Sequence, residues 1–414
     1  MHIAAITICV LLIITAIAQA TYVLLFARGL ARELRPLLED SDCGKAAIII
    51  CLRGSDPFLE KCLVSLLEQD YPDFKVHIIV DHSTDPAWDH VYQATRDRGN
   101  YKLHTLDSPL ATCSLKCSSL LQVIETLDSE VEFIALADAD TVPQQDWLRR
   151  LATELKPAQV GAVTGIRWYA PDDMNWGSLV RHVWNSAAIV QMYLYGIAWG
   201  GTLAIKLKSF RQLNFAEQWS KEFCEDTMIK SGLQAGGQQL VTCPGLVMPN
   251  RESCDLSGFF AFVQRQLLTT RLYHRAWWLV VFHGVSLGVF NLVAVSLLVL
   301  SLLQRNWGCL GLVALGLTIF HIANYGLLAV IKQRVDLRLG NRKSDFTIPQ
   351  LLRLVIAIPL TIFVHATAVA KTVSIREVTW RGIRYRIEPN SAIRLRNYQT
   401  MNETETQREE SESL

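Results

Sequence analysis

Long uncharged apolar stretches alternate with regions of mixed composition along the chain. The first stretch, residues 3–27, is about 25 residues long, which is enough to span a bilayer as a helix. Three arginines follow it: Arg28, Arg32 and Arg35. Because basic residues concentrate on the cytosolic side of membrane segments, we expect residues 1–27 to form a retained anchor with its N-terminus outside. A cleavable signal peptide is the alternative, since Ala-Gln-Ala at 18–20 resembles a cleavage site, but no Lys or Arg precedes the stretch.

Three further apolar stretches lie in the C-terminal part of the chain. Residues 277–303 and 308–331 predict a transmembrane hairpin, and the basic sequence KQRVDLRLGNRK that follows predicts a cytosolic loop. The last stretch, residues 349–373, has a shorter apolar core that contains Pro359 and has basic residues at both ends, so it is either transmembrane or re-entrant. Residues 374–414 are first basic and then acidic, and we expect a disordered tail there.

The region between the membrane segments, residues 28–254, alternates strand-like and helix-like patterns. AAIIICL (46–52) is typical of a strand buried on both faces, and a helical repeat of leucines follows it. KVHIIVD, KLHTLD, a helical segment and EFIALAD continue the order. This succession predicts an α/β domain with a mainly parallel sheet. Residues 255–276 mix phenylalanines with arginines and predict an amphipathic helix at the membrane interface, or one packed against the chain's own membrane helices.

Charged residues come directly after three of the predicted strands: Arg53, Asp81, Asp138 and Asp140. The ligand crevice of such sheets lies at the carboxyl ends of the strands, so this set indicates a binding site. A single aspartate there is commonly only a turn former or a helix cap. Asp138 and Asp140 can point to the same side, and their repulsion calls for a cation. Mg²⁺ or Mn²⁺, which bind carboxylate and phosphate oxygens, would suit; two solvated turn carboxylates are the alternative.

Composition changes this picture little. Charged residues make up 19% of the chain, below the roughly 25% of soluble domains, as expected for a membrane protein with a soluble domain. The ten cysteines show no paired spacing, and those of the middle region would face a reducing cytosol, so we expect free thiols.

Three segments resemble the membrane-bound family 2 glycosyltransferases with the GT-A fold: the stretch from AAIIICLRGSDP to VDHSTDPA, FIALADADTVPQQDWL, and EFCEDTMIKSGLQAGG. VDHSTDPA and the membrane layout are most similar to ceramide glucosyltransferases and related bacterial lipid glycosyltransferases. The resemblance implies transfer of a sugar from a nucleotide donor, usually UDP-linked, to an acceptor hydroxyl with inversion at the anomeric carbon. It also implies Mg²⁺ or Mn²⁺ as the cofactor.

The resemblance assigns roles to individual positions. Asp81 and Arg53 would contact the nucleoside of the donor, and Lys116 corresponds to a lysine in the helix before the metal-binding strand. Asp138 and Asp140 would hold the metal on the diphosphate. Asp226 matches the catalytic base, with Glu225 a weaker candidate; an acidic first turn that merely caps a helix is the alternative for this pair.

One family motif is altered. The family carries Gln or Arg, two residues, then Arg-Trp before the second membrane segment. Arg265 fits the first position, but Leu268 and Thr269 stand in the Arg-Trp places. Gln264 and Arg271 remain as further candidates for the diphosphate or the acceptor. The change argues against a processive polysaccharide synthase and leaves open a different donor or lost activity.

The aromatic, polar-poor segment 176–203, which includes Trp199, lies where this fold places its acceptor side. Together these features predict a multi-pass membrane enzyme with its catalytic domain on the cytosolic face. It would transfer a hexose, glucose by preference, from a UDP-sugar to a membrane lipid such as ceramide, with no nucleic-acid partner. The alternatives are a glycan-extending or polyprenyl-phosphate glycosyltransferase, or an inactive sugar-nucleotide-binding scaffold of the membrane.

Overall fold

The computed structural model describes residues 1–170, 175–340 and 348–403. Parts of two predicted segments, the basic sequence after the hairpin (341–347) and the acidic tail (404–414), lie outside these ranges. The described strands are β1 (Ala46–Leu52), β2 (Phe74–Val80), β3 (Tyr101–Thr105), β4 (Phe133–Ala137), β5 (Val160–Tyr169), β6 (Thr202–Lys206), β7 (Gln239–Asn250), β8 (Glu377–Trp380), β9 (Ile383–Ile387) and β10 (Ile393–Asn397). The described α-helices are α1 (His2–Leu30), α2 (Leu59–Leu67), α3 (Ala87–Thr95), α4 (Leu115–Glu125), α5 (Trp147–Leu155), α6 (Trp176–Tyr195), α7 (Leu207–Gln212), α8 (Phe215–Trp219), α9 (Ile229–Ala235), α10 (Leu256–Tyr273), α11 (Trp277–Leu303), α12 (Trp307–Arg338) and α13 (Ile348–Val373).

Seven strands form the central sheet in the order β3-β2-β1-β4-β6-β5-β7. β1 pairs in parallel with both β2 and β4, and β6 is antiparallel to its two neighbours. The apolar sequence of β1 explains its central place, since Ile48 and Ile50 are buried on one face of the sheet and Ile49 on the other. The predicted α/β fold with a mainly parallel sheet is therefore confirmed, and the carboxyl ends of β1, β2 and β4 lie side by side.

Among the described residues, four helices, α1, α11, α12 and α13, are long and apolar enough to cross a membrane. α1 lies along α12, and α13 packs against α11. α13 continues through Pro359 as one helix of 26 residues, so the last apolar stretch is helical over its whole described length. Apolar side chains on the outer faces of these helices, such as Trp278, Phe282 and Leu303, are more than two thirds exposed in the isolated chain, as expected for a surface in contact with lipid.

α10 covers most of the segment predicted to lie at the membrane interface. Phe259, Val263 and Leu267 are buried where α10 packs against α6 and α13. This contact corresponds to the second alternative, packing against the chain's own helices. α10 thereby joins the catalytic domain to the membrane segments.

The expectation of a disordered tail from residue 374 does not hold for residues 377–397, which form an antiparallel sheet in the order β10-β9-β8. The reason is a period of two in the sequence IRYRI: Ile383, Tyr385 and Ile387 are buried, whereas Arg384 and Arg386 are exposed. The buried side chains join the core beneath α4. Alternation of this kind is the usual pattern of a half-buried strand, even in a segment that carries many charges.

Candidate active site

The carboxyl ends of β1, β2 and β4 open into a cavity of about 390 Å³. The residues predicted from the strand ends all line it: Arg53, Asp81, Asp138 and Asp140. Lys116, Trp199, Glu225, Asp226 and Arg265 line the same cavity. Residues separated by up to about 200 positions in the chain therefore meet at one edge of the sheet, as the topology of parallel strands requires.

Lys116 connects two of the carboxylates. It lies near the start of α4, and its ammonium group is 2.6 Å from Asp138 Oδ1 and 2.6 Å from Glu225 Oε1. Burial works to lower the pKa of Lys116, but the two carboxylates outweigh it and raise that pKa well above its ordinary value. Burial likewise opposes ionisation of Asp138, yet Lys116 and Arg167 lower its pKa. Asp138 and Lys116 are therefore held as an ion pair.

Asp140 lies in a different environment. Its Oδ2 accepts a hydrogen bond of 2.9 Å from Asn250 and lies 3.8 Å from the guanidinium of Arg167. Its Oδ1 is buried and has no hydrogen-bond partner. Burial raises the pKa of Asp140 to about 6, although Arg167 acts to lower it. Asp140 is thus a carboxylate with too little positive charge around it.

These two carboxylates fit a hard divalent cation. Lys116 takes one oxygen of Asp138 and leaves Oδ2 beside Gly201, and the unpaired Oδ1 of Asp140 supplies a second ligand atom. Within the described ranges no group of three or more His, Cys, Asp or Glu side chains is arranged to hold a metal ion. A cation here would need oxygens from a bound phosphate and from water as well, which is how Mg²⁺ is commonly held.

Asp226 is positioned by the loop before β6. The backbone N–H of Gly200 donates to Asp226 Oδ2 at 2.9 Å, and the hydroxyl of Thr227 donates to Oδ1 at 2.9 Å. Glycine is needed in this loop because a Cβ at Gly200 would lie 1.9 Å from Glu225 Oε1, and one at Gly201 would lie 2.6 Å from Asp138 Oδ2. The loop can therefore pass directly between the carboxylates.

Arg53 and Asp81 form a buried ion pair at the other side of the cavity. Arg53 also donates to the backbone carbonyls of Arg381 and Gln399, at 2.8 and 2.7 Å. Asp81 Oδ1 is buried without a hydrogen-bond partner, and burial raises the pKa of Asp81 more than Arg53 lowers it. An N–H donor from a ligand would satisfy this oxygen.

Sequence reasoning missed Arg167, which lies near the carboxyl end of β5, a strand that is not adjacent to β1. Its guanidinium lies over the rings of Tyr169, Trp199 and Phe262, at 5.0 to 5.6 Å from their centroids. Trp199 is thereby placed as an aromatic support for Arg167. The signal that could have identified Arg167 is that it is the single charged residue in the sequence of β5.

Two weaker candidates are placed elsewhere. Arg271 donates to the backbone carbonyls of Val373 and Ile375, at 2.9 and 2.8 Å, where it ties α10 to the end of α13. Gln264 is not among the described residues that line the cavity, whereas Gln266 is. In the altered motif, Leu268 is fully buried and Thr269 lines the cavity. The α10 residues that line the cavity are Arg265, Gln266, Leu267, Thr269 and Thr270.

The cavity continues from the carboxylates into the membrane helices. α6 forms one wall there, and apolar residues from α1, α11, α12 and α13 form the others: Val23, Val280, Leu287, Leu327, Leu328, Ile331, Ile358 and Ile362. A few polar side chains interrupt this lining: Gln19, His283, Asn324, Thr361 and His365. Trp184 donates to His365 at 3.1 Å and fixes that ring. One cavity is therefore polar and charged at the sheet and largely apolar between the helices.

A sheet of this topology, with carboxylates and arginines at its carboxyl edge and with attached helices long and apolar enough to span a membrane, is typical of membrane proteins with the GT-A fold. Residues 8–393 match the family model described as glycosyl transferase family 21, and the chain belongs to that family. The resemblance to membrane glycosyltransferases seen in the sequence is thereby confirmed.

Several solved structures are similar to the chain, and no curated protein matches it in sequence. The mannosyltransferase PcManGT from Pyrobaculum calidifontis, in complex with GDP-Man and Mn²⁺, is 17% identical, with 89% of this chain and 99% of that chain covered and a TM-score of 0.48. S. aureus TarS 1–349 is 13% identical, with 86% and 100% covered and a TM-score of 0.38. Glucosyl-3-phosphoglycerate synthase from Mycobacterium tuberculosis, in complex with Mn²⁺, UDP and glucosyl-3-phosphoglycerate, is 11% identical, with 57% and 85% covered and a TM-score of 0.37.

Proposed function

We propose that this protein transfers a hexose, glucose by preference, from a UDP-sugar to a hydroxyl group of a membrane lipid such as ceramide, with inversion at the anomeric carbon. The observation that carries the proposal is the single cavity that joins the carboxylates of the sheet to an apolar space between the membrane helices. A hydrocarbon chain fits the apolar part, because its burial there is favourable and a soluble sugar acceptor would gain nothing from it. A polar headgroup would then lie beside Asp226.

Asp226 is the proposed catalytic base. It would accept the proton of the acceptor hydroxyl as that oxygen attacks the anomeric carbon from the face opposite the diphosphate, and the departing diphosphate would carry the negative charge away. The Gly200 N–H and the Thr227 hydroxyl hold its two oxygens in place. Because the attacking oxygen and the leaving group lie on opposite faces of the sugar, one carboxylate on the acceptor side is enough for inversion.

The donor would lie between Asp81 and Asp140. The unpaired Oδ1 of Asp81 suits an N–H of the nucleobase, and Arg265 faces the cavity near the carboxylates. Asp138 and Asp140 would hold Mg²⁺ or Mn²⁺, which would neutralise the diphosphate as it leaves. Lys116 fixes Asp138, so the orientation of that ligand is set before donor binds.

The orientation proposed for the domain is cytosolic. The C-terminal end of α1 and that of α12 meet where Arg338 donates to the carbonyl of Leu30, next to Arg28 and Arg32. Basic residues at one common end of two membrane helices favour that end facing the cytosol. The catalytic domain follows α1 at this same end.

Thin-layer chromatography of membranes incubated with labelled UDP-glucose and Mn²⁺ tests the proposal. We expect a labelled lipid that is absent when a chelator is added or when Asp226 is replaced by Asn. Labelled lipid that is released by mild acid would instead identify a polyprenyl-phosphate acceptor. Donor binding without any labelled product from extracted lipids would support the scaffold alternative and contradict the proposal.

A further inference from the structure

The C-terminal sheet forms part of the wall of the cavity. Trp380, Arg381, Ile383 and Tyr385 all line it, as do Asp138 and Asp140 after β4. The sheet is fixed in this position by long-range contacts, such as the hydrogen bond of 3.2 Å that the Leu115 N–H donates to the Tyr385 hydroxyl. The β8–β9 turn therefore reaches the site from a part of the chain that follows all the membrane helices.

Arg381 is the residue of this turn that carries charge into the cavity. Its guanidinium donates to both oxygens of Asp56, at 2.8 and 2.7 Å, and to the carbonyl of Arg53. Its side chain remains 36% exposed. Its φ angle of +47° places it in the left-handed region, which a residue with a Cβ adopts only at a cost. The turn thus holds an unfavourable backbone conformation at the point where Arg381 enters the cavity.

Trp380 makes a second contact with the site. Its ring lies under the guanidinium of Arg265, 5.1 Å from Cζ to the ring centroid, and Phe262 lies 5.7 Å from the same guanidinium. Arg265 is therefore held by aromatic faces, and no ion pair to Arg265 is found among the described residues. Attraction between a guanidinium and a ring fixes the position of the charge without neutralising it.

Arg167, Arg265 and Arg381 all line the cavity. Burial and the charges of Arg167 and Arg381 lower the pKa of Arg265. Asp56 offsets the charge of Arg381, but no ion pair to Arg265 is found among the described residues, so a bound anion would stabilise this group of arginines. A diphosphate is the anion that fits, since Arg presents paired N–H groups that match phosphate oxygens.

We propose that Arg381 is a ligand of the donor diphosphate and that Trp380 is a positioning residue that holds Arg265 beside it. The C-terminal sheet is then part of the donor site. This inference rests on the proposed function, because it takes a nucleoside diphosphate as the ligand.

Binding of UDP, with Mn²⁺ present, to the full chain in detergent tests the inference. Arg381→Ala should weaken UDP binding about 10- to 100-fold, which is the loss expected for one charge-assisted contact. Uridine has no phosphate, so its affinity, measured by competition, should stay within about twofold of the wild-type value. Arg381→Met, which keeps the apolar stem, should behave like Arg381→Ala and provides a second variant if one folds poorly. Arg384→Ala is the matched control, because Arg384 lies on the same sheet with an exposed side chain and should bind UDP as wild type does.

Two substitutions test Trp380: one removes the aromatic ring, and the other replaces it with a different aromatic ring. Trp380→Leu should weaken UDP binding several-fold and leave uridine competition unchanged, and Trp380→Phe should restore UDP binding to within about twofold of wild type. If Trp380 had a purely structural role, its replacement would weaken the binding of UDP and of uridine together.

If Arg381→Ala binds UDP within about twofold of the wild-type affinity, the inference is wrong but the proposed function still stands. The same holds if this variant loses affinity for UDP and for uridine equally. Wild-type protein that binds UDP but labels no lipid would refute the proposed function while the comparison of UDP with uridine still decides the role of Arg381. Wild-type protein that binds neither UDP nor GDP would overturn both.

Discussion

The ammonium group of Lys116 lies 2.6 Å from one carboxylate oxygen of Asp138 and at the same distance from Glu225. One lysine on α4 thus fixes a carboxylate after β4 and another in the segment before α9. Removing it would leave Glu225 buried without its ion-pair partner and would leave Asp138 with the weaker support of Arg167, which is costlier than never having paired these groups.

Lys116→Met should therefore destabilise the protein by about 3 kcal/mol and abolish transfer. Combining it with Glu225→Gln should recover part of the stability, since one of the two stranded charges is then removed. Melting temperatures of the two single variants and the double variant measure the coupling. Strictly additive losses would show that Lys116 and Glu225 do not interact.

Asp226→Asn should lower the transfer rate by about 10²- to 10⁴-fold, as expected for loss of a general base. Its effect on stability should be small, because the carbonyl of Asn can still accept the Gly200 N–H. Initial rates of lipid labelling and UDP binding, measured on the same preparation, separate catalysis from donor affinity. Asp128→Asn, which changes an aspartate with a 75% exposed side chain, is the control and should leave both quantities unchanged. Full activity in Asp226→Asn would move the role of base to another residue.

Asp140→Asn should raise the Mn²⁺ concentration needed for half-maximal activity by at least about tenfold, since a carboxylate ligand is lost from a site that depends on few protein oxygens. With UDP present, electron paramagnetic resonance of free Mn²⁺ should show that the variant binds Mn²⁺ more weakly than the wild type does. This readout is independent of turnover. Asp146→Asn, on the same loop but paired with Arg150, is the control. An unchanged Mn²⁺ requirement would separate Asp140 from the metal.

Glu222 predicts a pH dependence of stability. Its Oε2 is buried without a hydrogen-bond partner, and burial, with a contribution from Asp226, raises its pKa to about 8. A raised pKa favours the protonated form in the folded state. This contribution is complete below the unfolded pKa, near 4.5, and is lost as pH rises toward 8.

Glu222→Gln should consequently stabilise the protein at pH 8, by on the order of 2 kcal/mol, and give no gain at pH 4.5. Thermal unfolding at both pH values measures the difference. Glu217→Gln, which changes a largely exposed side chain on the preceding helix, should show little change at either pH. A pH-independent gain in Glu222→Gln would mean that packing, not ionisation, is responsible.

The apolar part of the cavity can be tested by filling it. Ala187 on α6 lines the cavity, and Ala187→Trp should block entry of the acceptor, so lipid labelling should fall at least about tenfold while UDP binding is retained. Ala4→Trp places the same side chain on an exposed face of α1 and should leave labelling intact. Normal labelling by Ala187→Trp would place the acceptor elsewhere.

The sequence by itself determined the elements whose signals are local. Continuous apolar segments predicted β1, β2, β4 and the membrane helices, and the charged residues directly after these strands predicted Arg53, Asp81, Asp138 and Asp140 at one edge. These inferences succeed because burial on both faces and the geometry of parallel strands depend on short stretches of chain.

Only the tertiary structure decided which distant residues complete the site. Arg53 and Arg381 are 328 positions apart, and nothing in either local sequence indicates their contact. Arg167 is placed by aromatic rings from three separate elements, and Arg271 is drawn away from the cavity by carbonyls at the end of α13. Contacts of this kind depend on how whole helices and sheets pack together, and that packing is a property of the complete chain that no local pattern of residues encodes.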